Sequence, residues 1–391
     1  MNLKFDEVFK ISSTCLKIIR AHPKISKNKI WLLQFIAMHA FYSGVAALSM
    51  YSIIFHDLKN KKMNQACANA IILVVYFVIT TKYIILLVHQ KNFLSLIETV
   101  NKDFQGIENL SPKEKSLVMK YIAKGIFFCK LWLVYATITC AIFPLRSLSF
   151  MIYYAITGNF KLVPFVEVRY PDALDEIKDI PGVFVFLLIL WCLCGVYSSL
   201  MYIGFAPLTP VFLLHACGQL EVVKYKVTHL FDNVQCHDVI NARIIIILYK
   251  IIRGLNEGFV RSYIMVIFIC VHIFLSYFIY ISLLLLQTIR QGEFPLEFIS
   301  FIFGGLLITF VPCYFSDLLM EKGENVRQAV YYCGWETQAN IQIRRSLLII
   351  LTRCVRTTSI RGIFRNICLE VFMTVVQQTY AIFNLMCAIW M

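Results

Sequence analysis

Charge is scarce in this chain. Only 15% of its 391 residues are Asp, Glu, Lys or Arg while 59% are hydrophobic, and the mean hydropathy of +0.71 is well above that of water-soluble globular domains. Soluble classes are thereby excluded, and the chain reads as an integral membrane protein. Negative charge is scarcer still, with 23 Asp and Glu against 37 Lys and Arg and a net charge of +14. That excess does not point to nucleic acid as a partner. The basic residues sit in short clusters between apolar runs, the arrangement that fixes orientation in a membrane.

Other absences narrow the function. No nucleophile, base and orienting group stand together, and there is no phosphate-binding loop or metal-spaced cluster, so neither an enzyme nor a cofactor is expected. The 14 cysteines are scattered singly, most of them inside apolar runs (Cys129, Cys140, Cys270, Cys313, Cys368, Cys387), and read as buried thiols rather than a disulfide framework. Cys192 and Cys194 are close but two residues apart, on different faces of a helix and unable to share a metal. No repeat or low-complexity tract is visible. The first thirty residues mix seven lysines and arginines with Asp6 and Glu7 and lack a long apolar core, so the first spanning helix is expected to direct insertion.

What is present is a series of seven apolar runs of spanning length, at about 30–55, 66–88, 122–143, 182–212, 263–287, 296–318 and 366–390. With the N-terminus on the cytoplasmic side, the inner connections 1–29, 89–121, 213–262 and 319–365 carry most of the Lys and Arg, as the positive-inside rule requires. The expectation is an all-α integral membrane protein with seven transmembrane helices, a cytoplasmic N-terminus and an extracellular C-terminus. Segments 89–121 and 214–262 place apolar residues at three- and four-residue spacing between charges, predicting long intracellular helical extensions. Segment 337–356, too short to span, predicts a further helix beneath the membrane. Four prolines in 144–181 (Pro144, Pro164, Pro171, Pro181) predict a turn-rich outer loop. The sequon Asn109-Leu110-Ser111 falls inside and is expected to stay unmodified.

Polar residues within spans are few. Lys82 and Lys130 lie near the cytoplasmic ends of their helices and are expected to snorkel, while His39 and His272 are expected to be neutral and bonded to backbone carbonyls. Asp317 is expected to pair with Lys322 or Arg327. The terminal run differs, because Glu370, Thr374, Gln377, Ala381, Asn384 and Ala388 form one polar or small stripe at helical spacing. In hydrocarbon such a stripe must meet another polar helix or water, so it either bonds within the subunit or lines a pore built from several copies of the helix.

"FSDLLMEKGENVRQAVYYCGWE" (315–336), "LLHACGQLEVVKYKVTHLF" (213–231) and the ending "RGIFRNICLEVFMTVVQQTYAIFNLM" together resemble the insect odorant receptor family over essentially the whole chain. Thr379-Tyr380 also matches the ending of the related gustatory receptors, but Met386-Cys387 stand where that family has Gln-Phe. The gustatory reading is therefore the alternative, and a G-protein-coupled receptor a more distant one, since that class places its N-terminus outside.

The resemblance implies a ligand-gated cation channel. It implies a ligand-tuning subunit in a hetero-tetramer with a shared odorant receptor co-receptor, in membrane lipid, opened by a small volatile ligand. Carried onto this chain, residues 1–318 form the ligand-binding bundle, 319–365 the cytoplasmic anchor and 366–391 the pore helix. The family's gate maps onto Phe383 and Cys387, whereas the polar stripe points to Gln377 and Asn384. The odorant pocket of the family lies in the outer half of spans two to six. There the candidates are Tyr76, Phe77, Trp132, Tyr135, Thr139, Phe186, Leu190, Tyr277, Tyr280, Phe298 and Phe301, apolar or aromatic with a few hydroxyls to orient the ligand.

Overall fold

The computed structural model describes residues 3–60, 62–231, 296–337, 341–355 and 367–390, and among them there is no strand. Two short helices, α1 (Phe5–Val8) and α2 (Lys10–Ile18), precede α3 (Lys29–Tyr51), which continues into a π-helical turn over Ser52–Asp57. Then come α4 (Met63–Val88), α5 (Gln90–Gly106), α6 (Pro112–Ile156), α7 (Asp172–Asp175), α8 (Pro181–Phe205) and α9 (Leu208–Thr228). Beyond these lie α10 (Leu296–Tyr331), α11 (Ile341–Cys354) and α12 (Leu369–Trp390).

Five stretches among the described residues are long and apolar enough to cross a membrane: Lys29–Asp57, Ala68–Val88, Pro112–Ile156, Pro181–Thr228 and Ile299–Thr337. They coincide with five of the expected spans, and α12 occupies the place of the last. The expected span at 263–287, with His272, lies outside the described residues. The helical extensions at 89–121 and the short helix within 337–356 are present as α5, the start of α6, and α11.

α6 shows why the helices begin where they do. Ser111 accepts from the Glu114 amide at 3.4 Å while Glu114 accepts from the Ser111 amide at 2.9 Å, a reciprocal cap with Pro112 in the first turn. The helix then runs for 45 residues, about 67 Å at 1.5 Å per residue, twice the hydrocarbon thickness. It passes through Pro144, which corrects the reading of 144–156 as loop. Proline removes one N–H, but every other backbone group of the apolar segment keeps its internal partner when the helix continues. The remainder of that segment, 157–180, is an irregular strap holding α7.

Packing is uneven along the bundle. At the end where Lys27 Nζ reaches the Leu87 carbonyl (3.1 Å), α9 stands between α6 and α10 with 14 of its 21 residues buried, which makes it the central post. Gly218 lets the Tyr121 ring approach, and Phe212 stacks on Phe5 at 5.5 Å and meets Phe93 edge-on at 5.8 Å. α2 docks on α8 through Leu16 against Gly204, with Ser12 donating to the Gly204 carbonyl. Asp6 joins His22 (3.2 Å) and Lys24 (2.6 Å) in the same brace, and the His22 bond chiefly, then Lys24, holds its carboxyl well below the usual range despite burial.

Two expectations about charged groups are corrected here. Lys82 does not snorkel outward: it is buried, with its ammonium over the Tyr202 ring at 4.4 Å and near Phe205 at 5.3 Å, because aromatic faces inside the bundle offer a closer negative potential. Lys322 reaches across to Glu221 at 2.9 Å, and Arg327 pairs with Glu324 one turn back, so neither partner is Asp317. His39 does meet a backbone carbonyl, that of Phe35, at 3.3 Å.

Candidate functional site: an apolar cavity and the terminal helix

Away from the packed end, α3, α4, α6, α8 and α10 diverge around a cavity of about 620 Å³, within the range of small-molecule sites. Small residues on facing helices open it: Ala46 on α3, Ala136 and Ala141 on α6, Gly195 on α8, Gly304 and Gly305 on α10. Phe165 and Val166 of the strap close one end, and Cys15 of α2 lies at the other. No Asp, Glu, Lys, Arg or His lines it among the described residues.

Its polar groups are hydroxyls. Tyr42 Oη lies 2.9 Å from Ser198 Oγ, and Tyr76 Oη lies 2.8 Å from Ser43 Oγ, with the two tyrosine rings 5.1 Å apart. Thr139 donates to the Tyr135 carbonyl (3.0 Å) and Ser199 to the Ala136 carbonyl (3.4 Å), as helical Ser and Thr commonly do or by crossing to a neighbouring helix. Tyr135 donates to the Ser300 carbonyl on α10 at 2.7 Å, and Phe143 touches Phe301 at 5.8 Å.

A buried polar knot fixes the strap. Ser52, Asp57 and Asn69 are fully buried, with Asn69 Nδ2 donating to Asp57 Oδ2 at 2.8 Å and to the Glu167 carbonyl at 3.2 Å. Ser52 Oγ accepts from the Arg169 amide at 3.0 Å, and Ser147 Oγ donates to the Val163 carbonyl at 2.5 Å. Tyr170 packs with Val168 and Leu187 and accepts from Trp191 Nε1 at 3.1 Å. At the surface, Asp175 binds Arg169 and Lys178; despite partial burial, which opposes it, these cations hold its carboxyl below the usual range.

The sequence candidates fall in different places. Tyr76, Tyr135, Thr139 and Phe301 line the cavity. Phe77 and Phe186 point outward, 57% and 62% exposed, and Leu190 packs beside the cavity against the Val168 cluster. Trp132 is buried elsewhere, its indole N–H without a partner among the described residues. Tyr277 and Tyr280 lie outside the described residues, as does the side chain of Phe298. Tyr42 and Ser198 are among the many wall residues outside the sequence candidates; the small-residue spacing of Ala46 on the same face as Tyr42 is the available signal.

α12 packs on α10, with Phe372 edge-on to Phe310 at 5.4 Å and Val375 and Thr379 buried. Glu370, Gln377, Ala381, Asn384 and Ala388 are exposed, so the polar stripe faces away from the chain's own bundle. The side chains of Phe383 and Cys387 lie outside the described set.

A family model described as 7tm Odorant receptor matches residues 62–380. Putative odorant receptor 19b and Odorant receptor 19a of Drosophila melanogaster are each 30% identical over 79 residues, 20% of this chain and 20% of each relative. The match thus spans a fifth of those relatives' length. The fold is similar to that of the insect olfactory receptor OR5 from Machilis hrabei in complex with eugenol, at a TM-score of 0.75 and 14% identity over 98% of both chains. A second structure of OR5 gives 0.73 over 97% of both.

Proposed function

Because the chain belongs to the 7tm odorant receptor family, matched from residue 62 to residue 380, we propose that it is the ligand-tuning subunit of a cation channel opened by a small volatile. The observation that carries this reading is the cavity of about 620 Å³, with no charged side chain among its described wall residues, which can remove an apolar molecule from water. Tyr76, Tyr135, Thr139 and Phe301 are its proposed contacts among the sequence candidates.

The pore is formed by α12, with Gln377 and Asn384 toward the conduction path. Its outward polar stripe supports this, since exposed amides in hydrocarbon are costly and water-lined or partner-lined surroundings remove that cost. Copies of the chain and of a co-receptor supply the other helices of a tetramer. The basic connections support a cytoplasmic N-terminus and an extracellular C-terminus, and the family resemblance supports an anchor at 319–365.

α10 couples the two sites. Gly304, Gly305 and Ile308 are cavity wall, and Phe310 two residues on touches Phe372 of α12. A ligand that fits one position of α10 better than another shifts the population of pore states. Moving from mostly shut to mostly open takes about 5 kcal/mol of differential affinity. Burying apolar surface at about 25 cal/mol per Å² provides a few kcal/mol for one small ligand. Current recordings under a volatile panel, from cells making this chain with and without a co-receptor, test the reading. Ligand-evoked cation current that needs this chain supports it, and a response carried only by a G protein, with no such current, overturns it.

A further inference from the structure

Resting on the reading of the cavity as the ligand site, we infer that the ligand is a neutral, elongated, largely apolar molecule. Its polar atom is a hydrogen-bond acceptor, a ketone, aldehyde or ester oxygen, and the Tyr42–Ser198 hydroxyl pair donates to it.

Each hydroxyl carries one hydrogen and two lone pairs. Tyr42 Oη and Ser198 Oγ, 2.9 Å apart, use one hydrogen between them and leave the other over. Both residues are cavity wall. The neighbouring Tyr76–Ser43 pair leaves one over in the same way, beside the Tyr42 ring. Among the other described wall groups, Thr137 and Thr139 donate to backbone carbonyls at 2.7 and 3.0 Å, Ser199 at 3.4 Å, Tyr135 at 2.7 Å, and the Trp191 indole to Tyr170, while Tyr202 is engaged as well. Among the described wall residues the unspent donors are therefore concentrated at one corner, and an acceptor oxygen is the group that satisfies them.

The described part of the wall offers a charged ligand no counter-charge. With no ionisable cation or carboxylate among the described wall residues, an acid or an ammonium would be stranded without a counter-charge in an apolar site. Shape follows from the helices: from Leu133 to Pro144 along α6 the wall is about 16 Å long at 1.5 Å per residue. A compact ligand leaves most of that length unfilled.

The test uses the full chain with a co-receptor and a series matched in chain length: an alkane, a methyl ketone, an ester, a carboxylic acid and an amine. The ketone and ester should act at half-maximal concentrations about tenfold below the alkane, the factor one hydrogen bond to a built site commands, with acid and amine weakest. Tyr42→Phe and Ser198→Ala each leave one hydroxyl hydrogen, so each alone should shift the ketone response less than about threefold. The double variant should shift it about tenfold while leaving the alkane response in place. An acid or amine as best agonist, equal potency of ketone and alkane, or a double variant indistinguishable from the parent overturns the inference. If no member evokes current, the channel reading fails, and thermal stabilisation of the purified chain by the same series decides the ligand class independently. Greater stabilisation by ketone than by alkane sustains it, and equal stabilisation ends it.

Discussion

The Tyr135 hydroxyl occupies the space where a side chain at position 304 would begin: a Cβ added to Gly304 would lie 2.0 Å from the Tyr135 oxygen and 3.0 Å from the ring carbon that bears it. The bond from Tyr135 to the Ser300 carbonyl, which ties α6 to α10 at the cavity wall, therefore depends on a glycine four residues further along α10.

Replacing that glycine is the first prediction. Gly304→Ala forces Tyr135 off its site, an overpacking that costs about 1–3 kcal/mol. A lower melting temperature of the purified chain should register it. Adding Tyr135→Phe should recover part of the loss and not all, because the oxygen is gone but the ring carbon remains within 3.0 Å.

The polar knot beneath the strap supplies a second. Asp57→Ala leaves the Asn69 amide without its nearest acceptor, at a cost of about 1–3 kcal/mol for a buried donor. The strap should loosen before the bundle does. Hydrogen exchange should accelerate at the Arg169 amide, which is held by Ser52, while amides of α9 keep their protection.

A third concerns α12. Gln377→Leu and Asn384→Leu replace exposed polar groups of the stripe, so they should change reversal potential or unitary conductance and leave the half-maximal ligand concentration within about twofold. A shift confined to ligand sensitivity would remove α12 from the conduction path.

A fourth is a pH dependence at the strap. The Asp175 carboxyl is held below its ordinary value by Lys178 and Arg169, so its contribution is complete above the unfolded carboxylate pKa of about 3.9 and is lost as pH falls through the lower folded value. Ligand responses should be flat in this respect from pH 8 to pH 5. Asp175→Asn should reproduce at neutral pH whatever loosening strong acid produces, measured as protease cutting within 157–180. The pair is exposed, so the effect should be small.

Much of the layout was legible because apolar length is a strong signal: the runs at 30–55, 66–88 and 122–143 became α3, α4 and the middle of α6. Connections such as 89–121 were legible too, since charges there restore helical periodicity. Pro144 is not a boundary because a single proline costs one hydrogen bond, while the apolar residues around it keep the rest by staying helical. The cavity was only partly legible. Tyr76, Tyr135, Thr139 and Phe301 could be named, but the spans are apolar on every side, so nothing in their pattern separates an inward Tyr76 from an outward Phe77. Tyr42 was missed because the first span was not counted as wall. Lys82 was misplaced because the aromatic faces of Tyr202 and Phe205 that receive it lie more than a hundred residues away in sequence.

α9 is walled in on nearly every side, while the cavity half of the bundle is shaped by the size of a few side chains on helices held elsewhere. On the proposed reading of the cavity, variation at Ala46 or Gly195 redraws what the chain detects, at a cost to folding set by how far the neighbouring wall residues can give way. The same variation at Leu214 or Cys217 strikes the post on which the fold stands. On that same reading, recognition is shaped by a few side chains of the cavity half, while most of the burial belongs to the post.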